Sequence, residues 1–172
     1  GNVILANTFG IENTNITADS LEADIEIYAS AYTSSDSADA GDAEVAINHL
    51  YIDIEAEDDA DASVDRISAD AMDNGIARNQ IGEINVTAKA TANGGDASAT
   101  VSDIVADASD NATATVIIGN INIIADAEDF ADVDLGTISA DADDNSVATI
   151  TIGNIYAKAE SQEGDASGFM TD

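Results

Sequence analysis

An apolar-x-x-apolar tetrad recurs along this chain at residues 47–50, 64–67, 81–84, 101–104, 118–121, 135–138 and 152–155, so successive tetrads start 17, 17, 20, 17, 17 and 17 residues apart. A period held this strictly constrains the fold more than any single motif, because a repeat of this size buries its apolar face only against neighbouring copies of itself. The one long step carries three extra residues, and it contains Asn93, Gly94 and Gly95, a sequence suited to a surface loop.

Inside a unit the period is two. Ile138, Ala140 and Ala142 alternate with Ser139 and Asp141, a polar run follows at 143–146, and Ala148, Ile150 and Ile152 then alternate with Thr149 and Thr151. This reads as strand, turn, strand, turn, with the tetrad glycines Gly82, Gly119, Gly136 and Gly153 placed at corners that need positive φ. Matching Ile27 to Ile155 sets unit starts at 27, 50, 67, 84, 104, 121, 138 and 155, the first unit holding six extra residues near 34–37. A doubled period also shows in ISADAMDN, IVADASDN and ISADADDN, which begin at 67, 104 and 138 and suggest duplication of a two-unit block.

The expected fold is all-β: a β-solenoid of about eight 17-residue coils, with an antiparallel β-sandwich or meander as the alternative. Unit length need not be constant in a meander, whereas a stacked coil must loop out every insertion. The chain contains no proline, which a continuous hydrogen-bonded ladder cannot accept. Eight coils at the strand spacing of ~4.8 Å would make a rod about 40 Å long. Residues 27–172 form the repeat domain, and residues 1–26, which do not match it cleanly, read as an N-terminal cap or a donor strand. The apolar Val3, Ile4, Leu5, Phe9 and Ile11 of that segment are candidates for an assembly interface.

Charge narrows the partners. The chain carries 35 acidic and 4 basic residues, a formal net charge of −31, and such a surface repels nucleic acid and anionic lipid. No apolar run approaches the ~20 residues of a membrane helix. Cations and the chain itself remain as partners. With no cysteine there are no disulfides and no thiolate chemistry. The first residue, Gly1, reads as the start of a processed chain, consistent with secretion.

The segments DNATATVIIGN and DNSVATITIGN resemble the strand-turn-strand repeats of curli-type and other secreted β-solenoid fibre proteins, best over residues 67–155 and without the glutamines that form ladders in curli repeats. The resemblance implies an extracellular fibre.

Stacked coils turn equivalent positions into columns. The fourth position reads Asp53, Asp70, Thr87, Asp107, Ile124, Asp141 and Lys158. Like charges ~4.8 Å apart repel by about 0.9 kcal/mol per pair even in water, so bound divalent cations or a screening medium are expected to offset them. Calcium suits such oxygens, and Asp141, Asp143 and Asn145 match the opening of a calcium loop. The glycine and glutamate that complete an EF-hand loop are replaced by Ser146 and Ile152. Asp53, Asp70, Asp107, Asp141, Asp143 and Asn145 are therefore the candidate metal ligands. Tyr28, Tyr51 and Tyr156 share the second column, at the two ends of the rod, and stacking rods head to tail would bring Tyr156 of one subunit near Tyr28 of the next.

Catalysis is not expected. The single histidine, His49, lies in a tetrad with no nucleophile motif around it. A self-assembling extracellular filament subunit with an anionic, cation-binding surface is the leading expectation. A monomeric calcium-binding adhesin, or an ice- or carbohydrate-binding module using Thr113, Thr115, Thr149 and Thr151, is the alternative.

Overall fold

The structure, a computed structural model, describes residues 3–14, 20–31 and 42–170. The expected loop at 34–37 lies outside them. The described residues form eleven strands: β1 (Val3–Thr14), β2 (Ser20–Ala31), β3 (Asp42–Ala56), β4 (Asp59–Ala71), β5 (Ile76–Ala90), β6 (Asp96–Ala108), β7 (Thr113–Ala127), β8 (Phe130–Leu135), β9 (Ile138–Ala142), β10 (Val147–Ser161) and β11 (Ala166–Met170). One sheet, here sheet A, has the order β1-β3-β5-β7-β10; the second, sheet B, has the order β11-β8-β6-β4-β2, with β9 also paired to β6. Every pairing is parallel, and each keeps one register except β2–β4, where a bulge between Ile25 and Glu26 passes over Asp65. The chain is a β-solenoid, as expected.

Its coil is twice the expected length. Strand β3 pairs with β5, not with β4, so Ile47 sits over Ile81 and Val64 over Val101. Each turn takes two 17-residue units, one per sheet, and the protein has about four turns rather than eight, a stack about 20 Å tall at the ~4.8 Å spacing. The two faces have different neighbours, which accounts for the doubled period: the three ISADAMDN-like segments all belong to sheet B.

The tetrads are bends within strands, or at 135–138 the step from β8 to β9, and not tight turns. In β7 the inward residues are Ala114, Val116 and Ile118; Gly119 and Asn120 then both face outward; and Ile121, Ile123, Ala125 and Ala127 resume the inward set. Two successive outward residues shift the alternation by one and keep both halves of a long strand aimed at the core. Positive φ occurs elsewhere, at Gly94 and in the pairs Asp73-Asn74, Asp110-Asn111 and Asp144-Asn145. Gly75 N–H donates to Met72 O (2.9 Å) and Ser146 N–H to Asp143 O (3.1 Å), closing two-residue turns whose central residues both have positive φ, as type I′ geometry demands. The tetrad glycines answer a different need: a Cβ on Gly136 would lie 2.8 Å from Ser102 O, and one on Gly82 2.5 Å from Asn48 O.

The three extra residues do loop out. The β5–β6 connection is 91–95, where the connections below and above it are 57–58 and 128–129, yet Asp59, Asp96 and Phe130 remain in one column. The core is a single cluster of thin columns: Leu50, Ile84 and Ile121 are fully buried in sheet A, as are Ile67 and Ile104 in sheet B. Of the segment 1–26, residues 3–14 pair with β3 as the first strand of sheet A, and residues 20–26 belong to β2, so the boundary drawn at residue 26 falls inside a strand.

Candidate functional site

Splitting the repeats between two sheets also splits the fourth-position column. Asp53 stands in sheet A, between Glu12 and Thr87, in a column that continues through Ile124 to Lys158. Asp70, Asp107 and Asp141 stand in sheet B as direct neighbours, below them Ser30. Removing the sheet A members leaves an unbroken aspartate ladder at the C-terminal end of the sheet B strands, beside the stacked type I′ turns. Asp143 joins this edge. Asn145 lies inside its turn at a φ of 63°, and Asp53 is on the other sheet.

Partial desolvation, followed by the charges of Asp70, Asp141 and Asp143, holds the carboxyl of the exposed Asp107 above its ordinary pKa. Tyr28 faces the same ladder. Its hydrogen bond to Asp70, partial desolvation and the charge of Asp70 all raise the phenol, while Ser30 and Arg66 pull the other way. A groove of about 330 Å³ runs between these groups, lined by Tyr28, Asp70, Met72, Asp107, Ser109 and Asp143. The carboxylates are spread along the ladder instead of converging: among the described residues no group of three or more His, Cys, Asp or Glu side chains is placed to hold one metal ion. The arrangement is a line of like charge along one edge of sheet B.

Sheet A carries a different ladder, built from asparagine in place of the glutamines of curli repeats. Asn154 Nδ2 donates to Asn120 Oδ1 (3.0 Å), and Asn122 Nδ2 donates to Asn85 Oδ1 (2.7 Å) and Glu83 Oε1 (2.9 Å). The signal in the sequence is Asn at matching positions two units apart, inside the tetrad at 120 and 154 and just after it at 85 and 122. His49 shares the column of Glu83 and lies 3.5 Å from its carboxylate, an ion pair when protonated.

The tyrosines also part company. Tyr28 is in sheet B, paired with Ser68, whereas Tyr51 and Tyr156 occupy one column of sheet A, Gly10-Tyr51-Asn85-Asn122-Tyr156. Continuing either sheet past its end does not bring Tyr156 beside Tyr28. The side chains of Val3, Ile4, Leu5, Phe9 and Ile11 lie outside the described residues, although their backbones pair with β3.

The two ends of the stack differ. At the β2 end the inward residues Ile25, Ile27, Ala29 and Ala31 are buried. At the opposite end core columns of both sheets open to solvent. Ile155 follows Leu50, Ile84 and Ile121, each 0% exposed, yet is 42% exposed itself. Ala140, Ala142 and Ala157 are exposed as well, and Tyr156 and Val147 stand more than half exposed nearby. No protein-family model, curated protein or solved structure matches this chain.

Proposed function

We propose that this protein is a structural subunit that associates end to end into an extracellular filament, its anionic flank binding cations and keeping neighbouring filaments apart. Ile155 carries the reading: a core position that three preceding turns bury completely is left open on the last, beside a parallel strand edge that is unpaired among the described residues. Unpaired edges template pairing with another chain, and each fully buried isoleucine contributes about 1.5–3 kcal/mol. The resemblance to secreted β-solenoid fibre proteins supports the extracellular setting. Against an ice-binding surface stands the composition of the threonine columns: Thr149 adjoins Thr115, but the column then runs to Arg78 and Glu44.

Electron microscopy and sedimentation of the purified chain over a range of concentration and salt test the reading. Polymers are expected, and Ile155→Asp should abolish them while leaving the β-sheet circular dichroism unchanged. A uniform monomer under all conditions would overturn it. The cation part is tested separately: calcium should raise the melting temperature beyond sodium chloride of equal ionic strength, and a chelator should reverse the gain.

A further inference from the structure

We infer that the junction between subunits is an in-register continuation of sheet A, the edge of β10 pairing in parallel with the edge of β1 of a second copy, both edges being unpaired among the described residues, so that Tyr156 stacks on Gly10 and Lys158 lies beside Glu12. This rests on the end-to-end association proposed above and specifies its geometry. Within the chain, the four pairings of sheet A repeat one register without a slip: Phe9, Leu50, Ile84, Ile121 and Ile155 form one column, and Glu12, Asp53, Thr87, Ile124 and Lys158 another. A one-residue slip would turn every core side chain outward, so only even offsets compete with the register already used.

Two features select zero offset. The first is charge. Lys158 is one of only four basic residues in a chain of −31, and it ends the column whose first position is Glu12. Continuing that column brings Glu12 to Lys158, whose ammonium also pairs with Glu160 on its own strand, whereas an offset of two residues sets Lys158 against Thr14 or Gly10. Two strongly anionic bodies need such a local attraction to fix orientation as they meet. The second is shape. Gly10 already carries the ring of Tyr51 on one side, Tyr51 Cδ1 standing 2.8 Å from where a Cβ would be. Tyr156, 51% exposed, is the matching ring at the far end of the same column, and zero offset lays it on the other side of the glycine. The small Ala157 likewise meets the position of Ile11.

Cysteine cross-linking tests the register, since the chain has no cysteine of its own. Lys158→Cys protein is mixed with Glu12→Cys protein and oxidised, in parallel with Lys158→Cys plus Thr14→Cys, the two-residue offset, and Lys158→Cys plus Tyr28→Cys, the wrong sheet. The 158–12 dimer is expected to form fastest. As a check that does not depend on thiols, Lys158→Glu should weaken association by roughly tenfold and adding Glu12→Lys should restore it, in the range seen for interfacial charge pairs. Polymers that cross-link better through Thr14 or Tyr28, or that ignore the charge swap, would overturn the register while leaving end-to-end association intact. A wild-type chain that stays monomeric would overturn both.

Discussion

Gly82 lies directly against the backbone of Asn48 on the preceding turn: a Cβ built on Gly82 would stand 2.5 Å from the Asn48 carbonyl oxygen. Gly119 repeats the relationship on Gly82, and Gly153 on Gly119, each closer still. The strands bend here, and bending brings successive backbones together at the corner. Gly119→Ala forces backbone apart on a fully stacked turn, so it is expected to cost about 1–3 kcal/mol, the usual range for overpacking. Gly168, whose nearest neighbour to a built Cβ is 3.8 Å away, is the control, and Gly168→Ala should leave the thermal melt nearly unchanged.

Asp107 sets the direction of the pH dependence. Its folded-state pKa is raised by partial desolvation and by Asp70, Asp141 and Asp143, and that of Asp61 is raised by partial desolvation and by Asp24 and Asp65 against a hydrogen bond from Ser98, although both side chains reach solvent. A carboxyl whose pKa is higher folded than unfolded holds more protons in the native state between those two values, so stability falls as pH rises through that interval. The melting temperature is therefore expected to increase as pH is lowered from neutrality toward the ordinary carboxylate range. Asp107→Asn should raise the melt at pH 7 and flatten this slope; a melt that drops steadily on acidification would contradict it.

How much of this was legible before the fold was known differs between levels. The all-β solenoid followed from the constancy of the tetrads, and the position of the loop at 91–95 from one irregular step. The coil length did not, because side-chain alternation reports which face is buried but not which strand lies next door. Ile67 is equally apolar whether it stacks on Leu50 or on Ile104. The ISADAMDN-like doubling held the answer, since units on different sheets have different neighbours and drift apart while units on one sheet keep their columns. The same ambiguity mixed Asp53 into the aspartate ladder and Tyr28 into the tyrosine column. Gly119 was legible as a special position, but its reason, close approach of two backbones, depends on the stacking itself.

Asn79 interrupts an otherwise apolar column of sheet A, between Val45 and Val116, and is completely buried. Its Nδ2 donates to Ser68 O across the core, while its Oδ1 and the buried Ser68 Oγ meet no partner among the described residues. A buried polar atom left unpaired costs about 1–3 kcal/mol, more than one neutral hydrogen bond returns. Asn79→Val, which copies the residue on either side, is expected to stabilise by about 1 kcal/mol, measured as a rise in denaturation midpoint with an unchanged slope. A loss of stability would mean that the bond to Ser68 O outweighs the orphaned oxygen.

The turn at 109–112 separates backbone strain from charge. Asp110 and Asn111 have φ of 59° and 64°, a region that costs an L-residue roughly 1–2 kcal/mol and glycine little. Asp73 and Asp144 hold the same place in the turns below and above, so Asp110 also carries the middle charge of a stacked acidic row. Its carbonyl accepts from Asn74 N–H (3.0 Å) whatever the side chain. Asp110→Gly removes both burdens and should raise the melting temperature at every salt concentration. Asp110→Val removes the charge but worsens the strain, and is expected to lose about 1–2 kcal/mol. Asp110→Asn removes only the charge; its gain should be largest at low salt and fade as the Debye length shortens below the ~4.8 Å spacing of the row. A gain that persists in high salt would show that the turn, and not the acidic row, governs this edge of the solenoid.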